Sequence, residues 1–324
     1  MRAAWITSLD GPEAVTIRET GEPAADPAAV RIDVAAAGLT FPDVLLTRGA
    51  YQYKPELPFV PGAEVAGVVR AAPAGSGFAP GQRVAAFPAF GGFAEVVDVT
   101  PGMVFALPDR LPFAEGCALP MNYLTMHFAL THRAPLRQGE TVLVHGAAGG
   151  IGTAALQLAR AYGARSVAVV SSAEKAAVAR AAGADEVVMA SGFREQVAEL
   201  TGGAGVDMVV DPVGGDRFTD SLRSLATSGR LLVIGFAGGE IPQVRVNRLL
   251  LNNIAVVGVG WGAYISKHQD YPRYQWLELL PLLEAGQLIP PVGTVYPLTD
   301  APLALADMAE RRTTGRSVLR LADW

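Results

Sequence analysis

The chain has 324 residues, half of them hydrophobic, a formal net charge of -5 and one cysteine, Cys117. That length accommodates two domains with separate cores, and the lone thiol excludes an intrachain disulfide and a cysteine-cluster zinc site. The acidic balance disfavours nucleic-acid and membrane-surface partners; with no unbroken apolar span and no signal-like start, a cytoplasmic enzyme is expected.

Proline divides the chain. Residues 1–122 hold fourteen of the 23 prolines, residues 123–261 three and residues 262–324 six. Proline lacks a backbone donor and fits poorly inside helices and central strands. The first third is therefore expected to be loop-rich β structure, with strands at 30–36, 65–70 and 94–99. The middle third is expected to be regular α/β. Its strands fall at 141–145, 166–170, 186–189, 206–211, 231–235 and 254–259, and its helices near 151–162, 173–182, 193–200 and 215–226. Six strands with short crossovers predict a doubly wound parallel sheet, whose ligands bind at the strand C-terminal ends. The last segment predicts a helix at 274–285 and a closing strand at 315–320.

The run from Thr141 to Gly152 carries the chemistry. An apolar β-branched strand breaks into glycines and then into a helix, the arrangement that binds a dinucleotide pyrophosphate. Ala147 holds the usual first glycine position, Gly149 the close-approach position and Gly152 the helix-packing position. Ala148, Gly149, Gly150, Ile151 and Gly152 are the candidate contacts. The next strand ends in Ser171-Ser172-Ala-Glu-Lys175, where an NAD site would need a carboxylate for the ribose 2′-OH. Hydroxyls and a cation suit a 2′-phosphate instead, so NADPH is the expected cofactor. Ser172 also suits the N-cap of the following helix. Glycine-rich loops at 211–215 and 235–239 follow later strand ends and place Val213, Gly235, Phe236 and Ala237 near the cofactor.

Six segments together resemble a known family: Gly38-Leu-Thr-Phe-Pro-Asp43, Arg48-Gly-Ala-Tyr51, Pro61-Gly-Ala-Glu-Val-Ala-Gly67, Gly81-Gln-Arg-Val84, Gly92-Phe-Ala-Glu95 and Ala147-Ala-Gly-Gly-Ile-Gly152. The chain is similar to the quinone oxidoreductases of the zinc-independent medium-chain dehydrogenase/reductase superfamily, the group that includes zeta-crystallin. The resemblance implies a GroES-like catalytic domain from 1–122 and 262–324, a Rossmann NADPH-binding domain at 123–261, and an active site in the interdomain cleft. It also implies cofactor contacts from Asn122, Thr125, Val259, Gly260, Trp261 and Arg316. Tyr51 resembles a proton donor of related enoyl reductases, or else anchors its loop. Asp43 and Arg48 are family-like and read either as site residues or as an ion pair shaping the site. Thr40 stands where many relatives carry asparagine.

Zinc-dependent relatives carry a metal-binding histidine where this chain has Ala63, and His127, His132, His145 and His268 supply no Cys–His set. No metal site is expected. Without a Lewis acid, hydride transfer suits an already electrophilic acceptor, a quinone or a C=C bond conjugated to a carbonyl. A non-catalytic NADPH-binding protein is the alternative of another class. The apolar strand near 253–260 should lie at a sheet edge and pair with a second copy as a homodimer.

Overall fold

The computed structural model describes residues 1–322; Asp323 and Trp324, which end the expected returning segment, lie outside the described residues. Contacts divide the chain into two units, one of residues 1–121, 269–284 and 292 onwards, the other of residues 122–268 and 285–291.

The first unit is β-rich. β1 (Arg2–Ile6) and β2 (Val15–Glu19) pair antiparallel. β3 (Val30–Gly38) leads through α1 (Phe41–Leu46) into β4 (Glu64–Ala71). Then come β5 (Arg83–Ala86), β6 (Val96–Val99), β7 (Val104–Ala106) and the single-turn α2 (Phe113–Gly116).

The second unit begins with α3 (Pro120–His127), whose residues from 122 onwards belong to it. β8 (Thr141–Val144), β9 (Arg165–Val170), β10 (Glu186–Met189) and β11 (Val206–Asp211) alternate with α4 (Gly150–Ala161), α5 (Ala173–Ala181) and α6 (Phe193–Leu200). After β11 the expected helix at 215–226 is shorter: a 3-10 turn leads into α7 (Phe218–Arg223). β12 (Leu225–Val233) starts early because it carries an irregularity: Val206 pairs with Leu225, but Met208 with Arg230. Ser228, at a φ of 66°, lies in that break. α8 (Asn247–Asn252), β13 (Ala255–Gly258) and α9 (Trp261–Ile265) complete the unit. All pairings in the sheet are parallel, in the order β10-β9-β8-β11-β12-β13. Buried Leu143, Val167, Val209 and Leu231 fill its core, as expected for strands covered on both faces.

The chain rejoins the first unit at Gln269 rather than 262, because α9 stays with the sheet it follows. α10 (Tyr271–Glu284), β14 (Val292–Pro297), α11 (Ala301–Ala309) and β15 (Arg316–Arg320) follow. α11 escapes a sequence reading because Pro302 looks like a breaker. It stands in the first turn, where its missing N–H has no helical partner to lose. The larger sheet of this unit runs β14-β15-β3-β4-β5-β7, with β6 also on β3. Among the described residues, no helix is long and apolar enough to cross a membrane.

Candidate functional site

The turn after β8 runs from a strand end into a helix N-terminus. The left-handed residue is Gly146, at a φ of 58°, so the tight turn falls one position before Ala147. Gly152 is fixed by packing: a Cβ there would collide with the Gly146 carbonyl oxygen and lie 2.5 Å from the Ala147 Cα. Gly149 is exposed, and no side chain caps the α4 N-terminus that it begins. The first N–H groups of a helix have no intrahelical acceptor. With Ala148, Gly150, Ile151 and Gly152 around it, this end offers backbone donors and a partial positive charge to an anion.

At the end of β9, Ser172 caps α5 and accepts from the Lys175 N–H at 3.4 Å. The Lys175 ammonium reaches Ser171 Oγ at 3.3 Å. Two hydroxyls and one cation thus meet at the C-terminal end of β9, and one of the hydroxyls, that of Ser172, caps the helix as well. Glu174, beside them, is held below the usual carboxylate range by the Ser172 hydroxyl.

The loops after β11 and β12 are laced together. Asp211 Oδ1 accepts from the Val213 and Gly214 N–H groups, both at 2.9 Å. Ala237 N donates to Pro212 O and Gly238 N to Val213 O, at 3.1 and 2.8 Å. Val213 lies against Gly146, its Cγ2 3.4 Å from where a Cβ would stand. Val213, Gly235, Phe236 and Ala237 therefore belong to one loop cluster beside the glycine turn. Val259 extends the ladder through its N–H to Val233 O at 3.0 Å; Gly260 is exposed and Trp261 buried behind it.

His145, the residue after β8, is fully buried. Its Nε2 lies 2.8 Å from Ser221 Oγ, whose hydroxyl donates to Arg217 O at 2.9 Å. Ser221 therefore accepts from the imidazole, which sets the Nε2–H tautomer and leaves Nδ1 without a partner. Burial depresses this histidine to about 4, although Asp211 opposes the shift.

In the first unit, Thr40, Asp43 and Arg316 are buried, Tyr51 is half-buried and Arg48 is exposed. Asp43 does not pair with Arg48. Its Oδ2 accepts from the Thr40 N–H and hydroxyl at 2.8 and 2.6 Å, and its Oδ1 from the Gly62 N–H at 3.1 Å. The capping turn of α1 points the carboxylate inward, whereas Arg48 lies beyond the helix end. Burial raises the Asp43 carboxyl above its ordinary range, opposed by these hydrogen bonds and by Arg316. Tyr51 packs on the core with its ring 5.9 Å from that of Tyr53, and burial raises its phenol. Arg316 pairs with Glu64, a buried carboxylate the sequence reading passed over; a charge inside an apolar strand was the available signal. Glu64 sits opposite Gly38, where a Cβ would come within 2.6 Å of its Oε1. Ala63 and Thr40 bring no metal ligand here, and among the described residues no group of three His, Cys, Asp or Glu could hold a metal ion.

A GroES-like β unit joined to a six-stranded parallel nucleotide-binding sheet defines a medium-chain dehydrogenase/reductase. Family models agree: the alcohol dehydrogenase GroES-like domain matches residues 26–109 and the zinc-binding dehydrogenase domain residues 150–284. The chain belongs to the quinone oxidoreductase family of that superfamily. It is 39% identical to quinone oxidoreductase-like protein 2 of Rattus norvegicus, over 99% of this chain and 92% of that protein. A probable oxidoreductase from Mycobacterium abscessus is 48% identical with a TM-score of 0.91, covering 99% of both chains. The quinone oxidoreductase of Thermus thermophilus, whose structures include a complex with NADPH, is 37% identical with a TM-score of 0.86. That match covers 99% of this chain and all (100%) of that one.

Proposed function

We propose that this oxidoreductase reduces quinones with NADPH and without a metal ion. The observation that carries the reading is the uncapped glycine-turn end of α4 together with Ser171, Ser172 and Lys175 at the end of β9. Backbone N–H groups from Ala148 to Gly152 would hold the pyrophosphate, and the two serines and the lysine the 2′-phosphate. Asn122, Thr125 and the loops at 213, 235–237 and 259–261 are the further cofactor contacts of this reading; Arg316, buried in its pair with Glu64, is not among them. NADPH, when bound, supplies the hydride.

The donor set does not suit zinc, and the reaction proposed needs none. A quinone spreads incoming charge onto oxygen, so the protein has to align the reactants, exclude water and offer a hydrogen bond to the developing oxyanion. Tyr51 is the donor assigned to that oxygen, and its raised phenol keeps its proton at neutral pH. Thr40 and Asp43 cap the helix α1 that precedes its loop. A half-buried phenol also suits protonation of an enolate, which favours activated C=C bonds as the second reading. NADPH oxidation with a panel of quinones and enones decides between them. Tight NADPH binding with no turnover on any acceptor would instead indicate a non-catalytic NADPH-binding protein.

We infer that two copies pair through β13. That strand is at the sheet edge, and Ile241, Val246, Leu250 and Leu251 before it are 69 to 76% exposed. An open strand edge preceded in the chain by exposed apolar side chains is the situation a second chain relieves. Light scattering at micromolar concentration tests the dimer, and a monomer there rejects it.

A further inference from the structure

Asn122 is 5% exposed, and its Nδ2 is buried with no hydrogen-bond acceptor. A buried amide N–H left without an acceptor has lost its water and gained nothing in return. A ligand acceptor would supply the missing partner. Asn122 and Thr125 are three residues apart on α3 and so share a face. Tyr123 projects from another side, and its buried hydroxyl donates to Gln157 Oε1 at 2.7 Å. Gln157 lies on α4, the helix whose N-terminus is the pyrophosphate candidate. Its carboxamide is also clamped to Ile289: Oε1 accepts from the Ile289 N–H at 2.9 Å, and Nε2 donates to the Ile289 carbonyl at 2.7 Å. The clamp fixes the rotation of α3 against α4, and with it the direction of the Asn122 and Thr125 side chains.

We propose that Asn122 Nδ2 donates to the carboxamide oxygen of the nicotinamide, and that Tyr123, acting through Gln157, is the positioning residue that aims it. The inference rests on the NADPH reading of α4. In that reading the charged groups of the adenosine half already have partners at the α4 N-terminus and at Lys175. A neutral amide donor complements a neutral carbonyl, and the nicotinamide carboxamide is the polar group of the ring itself. Holding that carboxamide fixes which face of the ring meets the acceptor.

Equilibrium titration of the full chain tests this with NADPH and with 2′,5′-ADP, which carries only the adenosine half. The variants are Asn122→Ala, Asn122→Leu (which keeps the volume should the smaller side chain unsettle the fold), Tyr123→Phe, and Asn122→Ala combined with Tyr123→Phe. Either Asn122 variant is expected to weaken NADPH about tenfold, as for loss of a satisfied buried hydrogen bond. Tyr123→Phe is expected to weaken it about threefold, and to add nothing on the Asn122→Ala background. Affinity for 2′,5′-ADP stays within about twofold throughout, which a merely structural role would not give. Unchanged NADPH binding in both Asn122 variants, or an equal loss for 2′,5′-ADP, overturns the assignment of Asn122. A Tyr123→Phe effect that persists without Asn122 overturns the positioning role. If the unmodified chain binds neither ligand, the NADPH reading falls first and takes the inference with it.

Discussion

Glu64 and Arg316 form an ion pair sealed inside the β-rich unit, the carboxylate fully buried and the guanidinium side chain 6% exposed. The second Glu64 oxygen accepts from the Met121 N–H at 3.0 Å, so one side chain ties β4, β15 and the start of α3 together. Burial lowers Arg316 to about 10, which still leaves it charged at neutral pH. Removing one partner strands a buried charge. Glu64→Ala should therefore destabilise the protein by about 3–5 kcal/mol. Glu64→Leu with Arg316→Leu should cost less than Glu64→Ala alone. Urea unfolding of the variants checks both, and a Glu64→Ala chain as stable as the unmodified one contradicts the pairing.

If Lys175 holds the 2′-phosphate as proposed, Lys175→Ala should raise the NADPH Michaelis constant by about tenfold or more. NADH, lacking that phosphate, should be used as before. Steady-state kinetics with both cofactors gives the answer, and equal losses for the two would remove Lys175 from the site.

His145 makes folding sensitive to acid. Its folded value is about 4, whereas a free imidazole titrates near about 6.5, so the unfolded chain takes up the proton first. Stability is then flat above about pH 6.5 and falls as the pH drops through the window towards the folded value. The loss attributable to this residue is about 2 kcal/mol between pH 7.5 and 5, before most carboxylates titrate. Asp211 and Arg217 are the charged groups acting on the ring, and Ser221 and Phe193 pack against it. His145→Asn should shallow the decline in denaturant melts across that range. An unchanged slope would mean that another group carries the acid sensitivity.

Tyr51→Phe separates the two acceptor classes. An enolate needs a proton, so loss of the phenol should slow enone reduction about a hundredfold. A reduced quinone is a weaker base that water can protonate, so quinone turnover should change little and mainly the Michaelis constant should rise. Unaltered kinetics with every acceptor would place the reacting carbon away from this loop.

The local signals in this chain were the legible ones. The β8 run, the turn glycines, the periodicity of α4 and Ser171, Ser172 and Lys175 all lie within spans where side-chain pattern and backbone geometry are set by near neighbours. They marked out the α/β unit and its six parallel strands. Within that run the structure adds that Gly146, the residue before Ala147, takes the left-handed conformation.

What only the tertiary structure decided is which polar groups meet after burial. Asp43 and Arg48 are near in sequence, yet helix geometry sends the first inward to Thr40 and Gly62 and leaves the second exposed. Glu64 with Arg316, His145 with Ser221, and Gln157 with Tyr123 and Ile289 come from distant segments. Gln157 and Ile289 are 132 positions apart. No spacing rule reaches so far, because such contacts depend on how elements pack and on which groups lose water when they do. Sequence therefore gave the cofactor class and the architecture of its binding unit, while burial in the folded chain chose the partners that hold the site residues.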